Sequence, residues 1–88
     1  MGIKELIKAG HLMEGTTLIW KRRVQGLIHS VLVVNGMLRT VDGKLHKTPS
    51  GAAKHLNNDK PVDGWKVWRH QISGKTLDDF RKEIQATA

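Results

Sequence analysis

The middle of the chain, residues 16–47, alternates short apolar runs with two-residue turn signals. The runs are TTLIWKRRV, LIHSVLVV, MLRTV and KLHK, and the turns between them are Gln25-Gly26, Asn35-Gly36 and Asp42-Gly43. Asn-Gly and Asp-Gly favour tight hairpins because these residues tolerate positive φ. We therefore predict an antiparallel meander of three or four strands from about Thr17 to Lys47. The run VLVV is apolar on both of its faces, which predicts a strand covered on both sides, with helices on one of them.

Helices are predicted on both sides of this meander. Before it, apolar residues three and four apart mark a short helix over residues 3–10, which ends at a glycine. After it, the segment SGAAKHLNN follows Pro49, a residue that fits the first turn of a helix, with Thr48 or Ser50 as the N-cap. The small side chains of residues 51–53 let another backbone approach closely, either the sheet or a DNA backbone laid across the helix start.

The last part of the chain, residues 65–84, is predicted to hold one more strand and a closing helix. In a strand WKVWRHQI, Trp65 and Trp68 point to opposite faces, so one packs inward and the other is accessible. Trp65 stands beside Gly64 and a polar loop, which makes it a candidate for stacking on a base; the alternative is that both tryptophans are structural. Apolar residues at helical spacing over residues 77–84 follow a capping box formed by Thr76 and Asp79.

Length and composition indicate one folded domain over residues 1–88. The chain has 88 residues, of which 39% are hydrophobic and 26% are charged, as in ordinary globular domains. The absence of cysteine excludes disulfides, thiol nucleophiles and cysteine-based zinc sites. No apolar run approaches the roughly 18 residues of a membrane span. We expect a soluble, cytoplasmic protein with no membrane partner.

The charge of the chain is concentrated in its centre. Net charge is +7, yet residues 20–75 alone carry eleven bases against three aspartates, while the flanking segments are close to neutral. A basic field of this kind attracts polyanions, above all nucleic acid, because each neutralised phosphate releases a counterion. The alternative is that the charge serves solubility only.

No constellation of catalytic residues is visible in the sequence. The five histidines form no His-x-x-x-His pair and no Glu-x-x-His motif, so a metal site is not expected. The segment GKTLDD lacks the first spaced glycine of a phosphate-binding loop. Serine, histidine and acidic residues show no adjacent partnership. We therefore expect a protein that is not an enzyme and that carries no cofactor.

The segments TPSGAAKHL and DGWKVWRH, preceded by LIKAGHLMEGTTL and followed by GKTLDDFRKEI, resemble the restriction enzyme and adenine methylase associated (RAMA) domain family. The resemblance extends from Leu6 to about Ile84. It implies a small α+β module, fused to or encoded beside DNA methyltransferases and restriction systems, that binds DNA and senses base modification. Family members often have Asn where this chain has Asp63, and an ionised Asp accepts hydrogen bonds but donates none.

These observations predict a DNA-binding module of restriction-modification type, with DNA and a methyltransferase or restriction nuclease as its partners. The alternative function is a protein-interaction adaptor that tethers such an enzyme. The residues predicted to contact DNA are Lys21, Arg22, Arg23, Arg39, Lys44, His46, Lys47, Ser50, Lys54, Lys60, Asp63, Gly64 and Trp65. Whether the DNA is duplex, single-stranded or modified is left open by the sequence.

Overall fold

The computed structural model describes residues 2–87, with the side chain of Thr87 excepted. The elements along the chain are α1 (Ile3–Lys8), β1 (Thr17–Arg22), β2 (Leu27–Val34), β3 (Met37–Arg39), β4 (Leu45–His46), α2 (Pro49–Leu56), α3 (Gly64–Val67), β5 (Arg69–His70) and α4 (Leu77–Thr87). The strands form one sheet in the order β4-β3-β2-β1-β5, and every neighbouring pair is antiparallel. The predicted α+β class, the meander and the helix that starts at Pro49 are confirmed.

One face of this sheet carries the core. Leu18 of β1 lies opposite Val31 of β2, Val33 lies opposite Leu38 of β3, and all four side chains are buried. The hydrophobic core on this face is completed by buried side chains from the helices: Ile3, Leu6, Ala52, Ala53, Leu77 and Phe80. The ring of Trp68 is fully buried among them and meets Trp20 edge to face, with ring centroids 5.7 Å apart. Helices therefore cover the sheet from one side.

The opposite face of the sheet departs from the prediction. Leu32 and Val34, the outward members of VLVV, are only half-buried, and Ile28 on the same strand is 67% exposed. The expectation that this strand is covered on both sides is wrong, because the helices contribute their buried residues to a single face.

The predicted last strand is also corrected. Residues 64–67 form the helical turn α3, and the strand that follows is reduced to Arg69 and His70. The cause lies at Asp63, whose carboxylate accepts a hydrogen bond from the Trp65 amide at 3.1 Å and so caps the turn. Strand alternation therefore does not govern the tryptophans. Trp68 is fully buried and Trp65 is half-buried against the same core.

The remaining helix ends follow the predicted capping chemistry. Thr48, and not Ser50, caps α2, since its hydroxyl accepts a hydrogen bond from the Gly51 amide at 3.0 Å. At α4, Thr76 and Asp79 exchange hydrogen bonds between side chain and backbone at 2.9 and 3.0 Å, which confirms the capping box. No helix within residues 2–87 is long and apolar enough to cross a membrane.

Candidate nucleic-acid interface

The two segments on which the family resemblance rests are packed against each other. Gly64 is buried, and a β-carbon added to it would lie 2.1 Å from the carbonyl carbon of Pro49. The amide of Gly64 donates to the Ser50 hydroxyl at 3.0 Å, and the indole Nε1 of Trp68 donates to the Pro49 carbonyl oxygen at 3.0 Å. Ser50, Gly64 and Trp68 thus join the start of α2 to α3, and we call this set of contacts the α2–α3 junction.

Trp65 has a partner on its ring. The guanidinium of Arg81 lies 4.6 Å from the ring centroid, and Arg81 is itself paired with Asp78. Asp63 next to it is engaged in capping α3. Asp and Asn both serve as N-caps, so this capping role could be filled by either residue at position 63. A base could stack on the Arg81 side of Trp65 only after the guanidinium had moved.

Four exposed cations meet in a groove at the β1–β5 side of the sheet. The groove measures about 760 Å³, and its basic lining residues are Lys21, Arg23, Lys66 and Arg69. None of its lining residues is acidic, and Gln71 and Ser73 add polar groups. We call this feature the cationic groove. Only Lys21 and Arg23 of its four cations were predicted from the sequence.

Pairing between β5 and β1 builds this groove. Arg69 lies opposite Ile19 of β1, which brings the start of the last strand beside the basic C-terminal end of the first strand. The Arg69 guanidinium donates to the Gly74 carbonyl oxygen at 2.9 Å, so the side chain is held over the turn that follows β5. His70 orders the same turn, because its Nδ1 accepts from the Ile72 amide at 3.2 Å. The rim of the groove is therefore arranged before any ligand binds.

The central positive charge is largely uncompensated. Of the eleven bases in residues 20–75, only Lys75 forms an ion pair among the described residues, with Glu83 at 2.5 Å. By contrast, Arg81 and Lys82 on α4 both pair with Asp78. Like charges without counter-charges raise the energy of the folded domain, and a polyanion would relieve that repulsion.

A second set of predicted cations lies on either side of β4, on α2 and in the loop after it. Lys44 precedes β4 and Lys47 follows it, Lys54 is on α2, and Lys60 comes after that helix; all four are exposed. Lys47 lines a separate recess between α1 and the β2–β3 turn. These residues are the β4–α2 cations, and the described residues offer them no ion-pair partner.

The other predicted contacts have more varied surroundings. Arg39 projects from β3 on the uncovered face of the sheet. The Arg22 guanidinium lies 4.9 Å from the centroid of the Trp20 ring. His46 is half-buried beside His55, with ring centroids 4.9 Å apart, and burial, followed by the nearby His55, lowers the pKa of His46. A phosphate contact by His46 would require this half-buried ring to turn outward.

His55 connects α2 to the β3–β4 turn through Asp42. The two side chains approach to 2.6 Å, and Thr40 also donates a hydrogen bond to the Asp42 carboxylate. Hydrogen bonds from the Thr40 hydroxyl, which has the larger effect, and from His55 hold the pKa of Asp42 well below its usual value. Within residues 2–87, no group of three or more histidine and acidic side chains is arranged to hold a metal ion.

Fold and groove together define a small basic α+β domain whose helices cover one sheet face and whose cations line an open groove. The chain belongs to the family described as Restriction Enzyme Adenine Methylase Associated (RAMA), whose family model matches residues 1–88. The domain is thus of a kind associated with restriction-modification systems. Comparison with curated proteins gives no match.

Proposed function

We propose that this domain binds duplex DNA and that the cationic groove contacts the phosphates. The observation that carries the proposal is the convergence of Lys21, Arg23, Lys66 and Arg69 on a groove with no acidic lining residue. Association of the family with restriction enzymes and adenine methylases supports DNA as the polyanion. In such a system the domain would hold an enzyme near its DNA substrate.

The groove suits phosphate better than base edges. Lysine contributes a point charge and arginine a planar fork that can bind a phosphate through two hydrogen bonds. Arg69 is already oriented by the Gly74 carbonyl, which lowers the entropy lost on binding. Phosphate contacts fix position on the duplex and carry no sequence information. We therefore propose binding that depends strongly on salt and weakly on sequence.

The β4–α2 cations are proposed as supplementary contacts. Lys44 and Lys47 flank β4, which is at the opposite edge of the five-stranded sheet from β5, and four strand spacings amount to roughly 19 Å. A duplex seated in the cationic groove would meet them only if it extended across or around the domain. Residues of the α2–α3 junction are not included in the proposed interface, since Ser50 and Gly64 already bond to each other.

The proposal is tested by fluorescence anisotropy with a labelled duplex and two double variants. Arg23→Glu with Lys66→Glu reverses charge in the cationic groove, whereas Lys47→Glu with Lys54→Glu reverses the same charge among the β4–α2 cations. We expect the groove variant to lose at least tenfold in affinity, about 1.4 kcal/mol, and the other variant to lose less. Equal losses would contradict the groove as the main contact, and no duplex binding by the unaltered domain at low salt would favour an adaptor.

Sensing of base modification is a further part of the proposal, drawn from the family's association with adenine methylases. Duplexes of one sequence, with and without N6-methyladenine, isolate this effect because their phosphates are identical. Different affinities at the same salt concentration would support modification sensing. Identical affinities would contradict the sensing of N6-methyladenine.

A further inference from the structure

The sheet face opposite the helices is unusually apolar for a surface. On β2 the side chains of Ile28, Leu32 and Val34 project from this side, where an antiparallel sheet normally presents polar residues to water. Leu45 of β4 is 47% exposed, and Ile19 of β1 is half-buried. Cross-strand register places all five on one face. We call this surface the open face.

Three cations are distributed over the same face. Lys21 of β1 lies opposite Ile28, Arg39 of β3 lies opposite Leu32, and Arg69 of β5 is at the edge. The five strands contain no aspartate or glutamate. An apolar surface crossed by positive charge, with no internal counter-charge, fits a ligand that is itself apolar and acidic.

Two other occupants fit the open face less well. A second copy of the domain, packed face to face, would bring three cations against three cations without one carboxylate on either side. A nucleic acid would neutralise the cations, but the phosphates and sugars of a duplex would leave the apolar side chains of this face uncovered. A single strand is usually bound on aromatic platforms, and the aromatic residues of β1 and β2, Trp20 and His29, belong to the other face.

We propose that the open face binds an amphipathic helix of a protein partner, with acidic residues beside its apolar stripe. Its apolar side chains would cover Ile28, Leu32 and Leu45, and its carboxylates would pair with Arg39 and the cations at either side. A helix that crosses the sheet from β4 to β5 must span roughly 19 Å, which takes about 13 residues. This inference does not depend on DNA binding.

The open face and the cationic groove share Lys21 and Arg69 but are separable by mutation. Arg39 and Ile28 belong to the open face alone, whereas Arg23 and Lys66 line only the groove. Because Ile28 is 67% exposed and Arg39 is exposed, neither is needed for the core. Variants at these positions are expected to fold.

The test is a titration with fluorescein-labelled helical peptides. The probe has leucines at positions i, i+3, i+4 and i+7 with glutamates beside them; one control replaces each glutamate by lysine, and another scrambles the order. We expect saturable binding of the acidic peptide only, weakened about tenfold or more by Arg39→Glu and by Ile28→Ser. Lys8→Glu on α1 and Arg23→Gln in the groove, measured as matched controls, should change it by less than about threefold.

Several results would overturn the proposal. The first is that the acidic peptide does not saturate the domain at millimolar concentration, and the second is that the lysine peptide binds equally well. The third is that Arg39→Glu, with an unchanged circular dichroism spectrum, binds the acidic peptide as tightly as the unaltered domain. Sedimentation that shows the free domain to dimerise, with Ile28→Ser restoring the monomer, would assign the face to a second copy. Loss of duplex DNA affinity in Ile28→Ser would assign it to nucleic acid.

Discussion

Substitution of Gly64 by alanine tests the close approach at the α2–α3 junction. The new methyl group would lie 2.1 Å from the Pro49 carbonyl carbon and 2.2 Å from its oxygen, where ordinary contact begins at 3.4 Å. The two backbones must therefore separate by about 1.3 Å, the difference between 3.4 and 2.1 Å. Neither backbone can rotate away as a flexible side chain would.

The cost of that separation follows from two hydrogen bonds. The contacts from Gly64 to Ser50 and from Trp68 to Pro49, both 3.0 Å, would stretch to about 4 Å, beyond hydrogen-bonding distance. Each donor left buried without a partner costs about 1–3 kcal/mol, so the variant should lose about 2–6 kcal/mol. That is a large share of the roughly 5–10 kcal/mol that stabilises a domain of this size.

Urea unfolding followed by tryptophan fluorescence measures this loss. We expect the Gly64→Ala midpoint to fall by roughly 2 M with little change in the slope of free energy against urea. Gly51→Ala is the matched control, since its added β-carbon would approach only the side chains of Thr48, at 2.9 Å, and His46, at 4.0 Å. There, better helix propensity offsets a weakened cap, and stability should change by less than about 1 kcal/mol. A Gly64→Ala domain as stable as the unaltered one would refute the tight junction.

Four other changes have defined outcomes. Trp68→Ala should cost about 3–5 kcal/mol of unfolding free energy in urea. Trp65→Ala should cost less, about 1–3 kcal/mol, and leave duplex affinity unchanged. Reduced duplex affinity with unchanged stability would instead support stacking of Trp65 on a base. Asp63→Asn should change the unfolding free energy measured in urea by no more than about 0.5 kcal/mol, because both residues cap. Burial lowers the pKa of both His29 and His46, so the folded state binds protons less readily than the unfolded one. Thermal stability should therefore fall as the pH drops below 6.5, and His29→Gln with His46→Gln should flatten that dependence.

Local turn chemistry was sufficient to predict the meander. Asn35 and Gly36 have φ of +51° and +74°, the positive values that a tight hairpin between β2 and β3 requires. Gly43 at the next turn has a φ of +87°. Residues 64–70 could not be assigned in the same way, because the Asp63 cap of α3 acts together with the packing of Gly64 on Pro49, two residues that are far apart in sequence. A short apolar run does not distinguish a strand from a helical turn.

The candidate site was only partly predictable for a similar reason. Charge arithmetic correctly located the uncompensated bases in residues 20–75, and Lys21 and Arg23 were among the predicted contacts. Which bases converge is decided by the pairing of β5 with β1, which brings Arg69 and Lys66 to the same groove. The segment WKVWR contains both Lys66 and Arg69, and these two bases were the sequence signal for the rest of the groove.

The dependence of duplex affinity on salt tests the central claim, phosphate binding by the cationic groove, most directly. Four phosphate contacts predict a slope near −3.6 when the logarithm of the association constant is plotted against the logarithm of salt concentration. Arg23→Gln with Lys66→Gln removes two of these contacts and should reduce the slope to about −1.8. An unchanged slope in this double variant, or an unaltered domain whose affinity does not vary with salt, would contradict the account.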